Sequence, residues 1–339
     1  LDLVATGLVA DVMSLKNIEN KAIVNLGTKN IYNPYIKAYL KADKRLKDKP
    51  FNAIVISFYL APQINALIRM GSIEEKLNLF QAIIGEIDAE YVVANIIRLK
   101  GKQDRDKEPL VTRIVLDLQK QSKDKNKVIL AEVPARTPNS MTGLIAGQLA
   151  GLYQKPVLLG RINDKGDFVG SARSINGSSV ANLKDFCENS GLFNFVAGHQ
   201  GAFGWSLPAD KIDEYLKYAD DNLPPFEKYY SVFTIEGDKT AVIEALEIFD
   251  MHYGPGFEEI LLYDELYLMP EMVNIIGEKQ NTLRIRTDEL TYMAFRFKGT
   301  PPETGKMMKL VGKPNMNYFN GASIPQIILE DWMLQDLEL

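Results

Sequence analysis

Four groups of residues in this chain have types and spacings suited to chemistry. Asp11 stands alone in an apolar run, Leu8-Val-Ala-Asp-Val-Met. A carboxylate there either caps a helix end or offers hard oxygen ligands to a divalent metal. Ser171 and Arg173 follow Gly170 and precede Asn176-Gly-Ser-Ser. Glycine lets a phosphate approach the backbone, a hydroxyl donates a hydrogen bond, and arginine can grip two phosphate oxygens at once. The plainer reading is a surface loop of small polar residues. His199 lies between Gly198 and Gly201. A lone histidine is commonly structural, but flanking glycines permit a tight turn that presents the ring to a ligand.

The fourth group is a basic run. Arg284, Arg286, Arg296, Lys298, Lys306, Lys309 and Lys313 fall within about thirty residues with three acids among them, although the segment as a whole is acidic. Arg284/Arg286 and Arg296/Lys298 have period-two spacing, so each pair shares one face of its strand. Tyr292, Phe295, Phe297, Tyr318 and Phe319 interleave with them. Basic strands with aromatics suit single-stranded nucleic acid, which combines phosphate attraction with base stacking. Strand alternation must bury one side, so at least half of those aromatics are expected in the core.

Composition limits the options. The chain has 339 residues, 46% hydrophobic and 24% charged, with a net charge of −5, which neither advertises nor excludes a nucleic-acid partner. One cysteine, Cys187, excludes an internal disulfide and a multi-cysteine zinc site, consistent with a cytoplasmic location. No run approaches eighteen apolar residues, so no membrane span is expected. The opening Leu1-Asp-Leu-Val-Ala has no initiator Met and no basic region, which suggests a fragment entered mid-element. Two-metal hydrolysis needs a cluster of carboxylates and imidazoles holding ions about 3.5–4 Å apart. Both histidines, His199 and His252, are far from Asp11, so Asp11 alone cannot hold two metals.

The elements that must position these groups change in texture along the chain. Helical periodicity runs from Lys21 and through Phe51–Leu99, including a helix over Ile73–Ile84. A polar stretch, Lys100–Lys107, precedes another helical pattern at Leu110–Leu118. Short apolar runs at Val128–Val133, Pro156–Gly160, Asp167–Arg173 and Phe193–Ala197 predict strands. Helices at Gly143–Leu152, Val180–Asn189 and Ala209–Tyr218 alternate with them, giving an α/β unit. Asp221-Asn-Leu-Pro-Pro-Phe reads as a linker. Beyond it, strand-like runs at Tyr229–Ile235, Leu283–Arg286, Ala294–Phe297, Lys309–Val311 and Pro325–Leu329 surround one helix at Lys239–Phe249. Asn320-Gly321 is a hairpin signal, and the set suits a small barrel such as an OB-fold.

Four stretches, in order, resemble the RecJ exonucleases of the DHH phosphoesterase superfamily. Leu1–Leu15 resembles the family's last catalytic motif, in which an Asp before a valine ligates metal. Phe58-Tyr-Leu-Ala-Pro-Gln-Ile-Asn-Ala resembles the following segment, usually Pro-Arg-Ile-Asn-Ala, with Gln63 in place of the arginine and Arg69 nearby. Gly170-Ser-Ala-Arg-Ser-Ile and Ala197-Gly-His-Gln-Gly-Ala-Phe-Gly resemble the DHH-associated domain signature, with Phe203 and Trp205 where small residues are common. Thr137-Pro-Asn-Ser-Met-Thr-Gly replaces the family's Trp-His-Pro-Gly segment. Gly312–Gly321 with Gln326–Asp331 resembles the end of the RecJ OB-fold.

The resemblance implies an α/β fold: a remnant of the DHH domain with connecting helices, an α/β DHH-associated domain and a small β-barrel (OB-fold). The expected boundaries are 1–48, 49–126, 127–222 and 226–339. For an intact enzyme it implies Mn2+- or Mg2+-dependent 5′-to-3′ hydrolysis of single-stranded DNA in repair and recombination, with Asp11 as a metal ligand. His199 would be the catalytic-site residue reaching the scissile phosphate. Ser171, Arg173, Gly198, Arg284, Arg286, Arg296 and Lys298 would bind nucleic acid. The family's Asp-His-Asp and Asp-His-His motifs have no counterpart here, so this chain is expected to bind DNA, to hold no metal stably and to lack activity alone. The expected partners are single-stranded DNA and an N-terminal catalytic segment. A non-catalytic binding adaptor derived from such a nuclease is the alternative.

Overall fold

The computed structural model describes every residue except 48, 176–179, 225–229, 251, 278–279, 296, 298, 320–321 and 337–339, and at Phe319 only the backbone. The chain divides into two compact units. One comprises Leu1–Asn65, Glu74–Ala94 and Tyr230–Leu339, the other Ala66–Ile73 and Asn95–Tyr229.

The chain opens with helices α1 (Asp2–Ala10), α2 (Ile18–Lys29) and α3 (Pro34–Ala42). Their starts follow from capping chemistry: the Asn17 side chain accepts from Glu19 and Asn20 N–H, and Asn33 accepts from Tyr35 and Ile36 N–H ahead of Pro34. Buried Asp2 accepts from the Tyr32 and Asn33 amides at 2.7 and 2.6 Å, tying the start of α1 to the α2–α3 turn. Helix α4 (Ala53–Val55) runs through a π-helical turn (Ile56–Leu60) into α5 (Ala61–Met70). The Ala61 amide bonds to the Ile56 carbonyl five residues back. Pro62, which has no N–H of its own, follows it, and such a residue commonly displaces the helical ladder. Helix α6 is Ile73–Ile84, as the periodicity predicts.

Among the described residues one helix, Ala53–Met70, is long and apolar enough to cross a membrane by length and composition, with mean hydropathy 1.4 and 44% of it buried in the protein. One expectation changes here. The polar stretch Lys100–Lys107 does not separate two helices. It lies inside α7 (Ala89–Lys120), which continues through Pro109. Its charges satisfy one another along the helix, as in Lys100–Asp104 and Lys107–Asp104, so polarity there marks a solvated face rather than a break.

The second unit holds a five-stranded sheet in the order β1-β2-β3-β5-β4. Its elements are β1 (Ile129–Glu132), α8 (Asn139–Tyr153), β2 (Val157–Ile162), β3 (Asp167–Arg173), α9 (Leu183–Asn189), β4 (Phe195–His199), β5 (Ala202–Pro208) and α10 (Ile212–Asn222). Strands β1 and β2 are parallel and the other pairs antiparallel. Sequence reading predicts four strands; β5 is the one it lacks. Phe203, Trp205 and Leu207 alternate along β5 and are buried with Phe168, Leu183, Cys187 and Tyr215. They therefore build the core behind the sheet, and Trp205 meets Phe168 edge-on at 5.2 Å.

The first unit's second half is α11 (Lys239–Leu246) on a seven-stranded sheet ordered β6-β7-β11-β12-β10-β9-β8. The strands are β6 (Phe233–Thr234), β7 (Leu262–Tyr267), β8 (Val273–Ile276), β9 (Thr282–Arg286), β10 (Thr291–Phe295), β11 (Met307–Phe319) and β12 (Ala322–Gln335). The runs expected at Lys309–Val311 and Pro325–Leu329 are parts of two long strands. These pair antiparallel with Phe319 opposite Ala322, while the Asn320-Gly321 pair itself lies outside the described residues.

Candidate nucleic-acid interface

The sequence-predicted residues of the second unit converge on one end of its sheet. Along β3, Phe168 and Ala172 point into the core behind the sheet, while Ser171 and Arg173, on either side of Ala172, are half-buried. Alternation therefore puts Ser171 and Arg173 on the opposite face, which α8 covers. Gly170 is required by close approach, because a Cβ there would lie 2.0 Å from the Leu159 carbonyl oxygen. In the ladder, Arg173 pairs with Ala202 and Ala202 pairs with His199. Arg173 and His199 thus occupy one row, two strand spacings or roughly 10 Å apart. Gly198 takes φ 140°, where a Cβ would collide with the Ala202 carbonyl and Phe203, so glycine is obligatory beside the exposed His199.

Arg173 has an unusual environment. Its Nη1 donates to the Ala172 carbonyl at 2.6 Å. Among the described residues, no carboxylate is within ion-pair distance of it. Burial depresses the pKa of the guanidinium, and the positive charge of Arg69 depresses it further. Arg69 lies in the same compact unit. A half-buried cation with no carboxylate at ion-pair distance among the described residues is the kind of group that an anion can compensate. Gln63, by contrast, is buried at 4% exposure with its Oε1 unpartnered, a placement unlike that of a phosphate-gripping side chain.

Asp11 sits at the C-cap of α1, exposed, its amide bonded to the Gly7 carbonyl at 2.9 Å. It ends the helix through its backbone amide, and the carboxylate faces solvent. Val12 follows with φ 56°, a strained conformation for a β-branched residue. Among the described residues, no group of three or more His, Cys, Asp or Glu side chains is placed to hold a metal ion. The donor set present does not fit a two-metal centre.

The basic strands look different in three dimensions. Leu283 and Ile285 of β9 enter the core, while Arg284 and Arg286 share the opposite face, as period-two spacing requires. They border a cavity of about 440 Å³ with Glu271, Asn274 and Asp288. Lys306 pairs with Glu303 and Asp336, Lys309 with Glu265, and Lys313 with Glu259 and Glu330. Arg296 and Lys298 lie outside the described residues. Of the aromatics, Tyr292 is core, its hydroxyl donating to Asp264 at 2.6 Å. Phe297 packs against Trp332 at 6.0 Å, whereas Phe295 and Tyr318 are exposed and available for stacking.

The comparisons with known proteins agree with this architecture. Residues 234–331 match the family model of the RecJ OB domain. The SPbeta prophage-derived YorK of Bacillus subtilis (strain 168), named as a single-strand DNA-specific exonuclease, is 28% identical, covering 96% of this chain and 63% of that protein. The single-stranded-DNA-specific exonuclease RecJ of the same organism is 25% identical over 99% of this chain and 45% of its own length. The crystal structure of RecJ in complex with Mg2+ from Thermus thermophilus superposes with a TM-score of 0.77 at 19% identity, covering 99% of this chain and 52% of that one. The expected α/β fold with an OB domain is borne out. The chain spans less than two thirds of the length of these relatives.

Proposed function

We propose that this divergent RecJ-like chain is the strand-holding part of a 5′-to-3′ single-stranded-DNA exonuclease and binds DNA without cleaving it alone. The observation that carries the reading is the half-buried Arg173, bonded to the Ala172 carbonyl and, among the described residues, without a carboxylate at ion-pair distance. Such a cation is poorly accommodated by the protein itself and well accommodated by a phosphate. Ser171, two residues before it on the same strand face, would donate to the same phosphate. His199, in the same row of the sheet, would contact the neighbouring phosphate. Gly198 would admit the strand backbone close to β4.

On the seven-stranded sheet, Arg284 and Arg286 would bind the strand by themselves, with Phe295 on the same face as a stacking surface. Arg296 and Lys298 would also bind nucleic acid. Asp11 would contribute one ligand to a divalent metal, and the other ligands would have to come from sequence outside this chain, since one carboxylate cannot hold two ions. The alternative reading, a non-catalytic adaptor, is favoured by the same lack of a metal-donor group among the described residues.

The test is fluorescence anisotropy with a 5′-phosphorylated, 3′-labelled oligodeoxynucleotide at low and moderate salt. Salt-sensitive binding that weakens in Arg173→Ala is the expected result. No binding at low salt overturns the strand-holding reading. Release of nucleotides on adding Mn2+ to this chain alone overturns the claim that it does not cleave.

A further inference from the structure

Helix α8 contains glycines at 143, 147 and 151, spaced by one turn. Glycine inside a helix is destabilising relative to alanine, so a reason for each is worth seeking. A Cβ on Gly151 would meet nothing within 4 Å. The three described atoms nearest a Cβ on Gly143 all belong to Arg173: Nη2 at 2.6 Å, Cζ at 3.2 Å and Nη1 at 3.7 Å. A Cβ on Gly147 would make an ordinary contact, 4.0 Å from Cγ of the same arginine. The guanidinium thus occupies the space that a side chain at 143 would take first.

We propose that Gly143 is a specificity-determining position of the phosphate site: its missing side chain lets the Arg173 guanidinium lie against α8, aimed away from any acid and toward the DNA phosphate. The inference rests on Arg173 being a phosphate ligand, and it adds the residue that sets the aim of that ligand. Long side chains have many rotamers, and a bound phosphate rewards an arginine already held in one of them. The floor of α8 limits those choices on the Nη2 side, and the bond from Nη1 to the Ala172 carbonyl limits them on the other. A methyl group at 143 would push out only the flexible end of Arg173. The substitution is therefore mild for the fold and specific for the site.

Two matched substitutions in one helix make the test. Gly143→Ala and Gly151→Ala, each also combined with Arg173→Ala, are compared by thermal unfolding and by anisotropy with the 5′-phosphorylated oligodeoxynucleotide. Both single changes are expected to keep or raise Tm through helix propensity. Only Gly143→Ala is expected to weaken binding, by about tenfold for a lost charge-assisted contact. Adding it to Arg173→Ala should weaken binding no further, which is the signature of two residues acting through one interaction.

Wild-type affinity in Gly143→Ala, with Arg173→Ala impaired, overturns this inference and leaves the phosphate reading standing. Wild-type affinity in Arg173→Ala removes both. If Gly143→Ala fails to fold while the Gly143→Ala/Arg173→Ala double variant folds, the guanidinium alone occupies the gap and the proposal is supported. Failure of the double variant as well assigns Gly143 to helix packing and overturns it.

Discussion

In the five-stranded unit, Arg173 keeps its charge among backbone, helix and a second arginine, with no acid among the described residues within ion-pair distance. In the seven-stranded sheet, Lys306, Lys309 and Lys313 each contact carboxylates delivered by other segments. Lys239 does the same more deeply, meeting Asp264 at 2.8 Å while Tyr292 donates to the other carboxylate oxygen. The difference teaches that the number of cations in a segment says little about anion binding. A cation neutralised within its own fold stabilises that fold. A cation left without a partner is available to a ligand and is a burden to the fold in its absence.

The sharpest break of this comparison is expected at Asp264. Asp264→Ala leaves the largely buried Lys239 with only its longer contact to Glu289 at 3.9 Å and removes the Tyr292 bond, and should lower unfolding stability by about 3 kcal/mol in denaturant titration. A negligible loss would mean that the internal pairs of the seven-stranded sheet are ornamental. Next comes Arg173→Met, expected to weaken oligonucleotide binding by about tenfold or more. Its Tm should stay unchanged or rise, because an uncompensated buried charge is removed. A clear fall in Tm would make Arg173 structural.

Arg284→Ala and Arg286→Ala should each cost only a few-fold in affinity, reducing the salt slope by about one apiece. Lys313→Ala should leave that slope unchanged, since Glu259 and Glu330 already occupy its charge. Equal slopes for all three variants would erase the distinction between free and neutralised cations.

The smallest expected effect concerns Asp250, the acidic mirror image of Arg173. Burial, followed by the charges of Glu247 and Glu259, raises its pKa to about 6 from an ordinary 3.8. The fold therefore favours the protonated form. Its contribution to stability is fully present below about pH 4 and is lost as the pH rises through about 6. Asp250→Asn, which mimics the protonated acid, should raise Tm at pH 8 and leave it unaltered near pH 4. A rise of equal size at both pH values would assign the effect to something other than this titration.

Much of the site is legible in the sequence. Gly170, Ser171 and Arg173 form a local pattern, and β3 occupies the residues expected of it. The period-two pairing of Arg284 with Arg286 also appears as read, because alternation is a property of the strand itself. Strand β5 is readable in principle from the alternation of Phe203, Trp205 and Leu207. Its glycines, Gly201 and Gly204, break the run and disguise it as a loop. The role of Gly143 is not readable, since its neighbour Arg173 is thirty residues away and meets it only through the packing of α8 on β3.

Local sequence is enough for the short elements, for the caps at Asn17 and Asn33, and for the segments that could meet a phosphate. Each depends on interactions within a few residues, which spacing reports directly. Tertiary structure alone decided which cations were free. Charge pairing in a sheet is set by strand order, so Lys309 finds Glu265 and Lys313 finds Glu330 only after β11 lies between β7 and β12. The same long-range assembly set Arg173 against α8 with no acid at ion-pair distance among the described residues, a contrast that local spacing has no means of encoding.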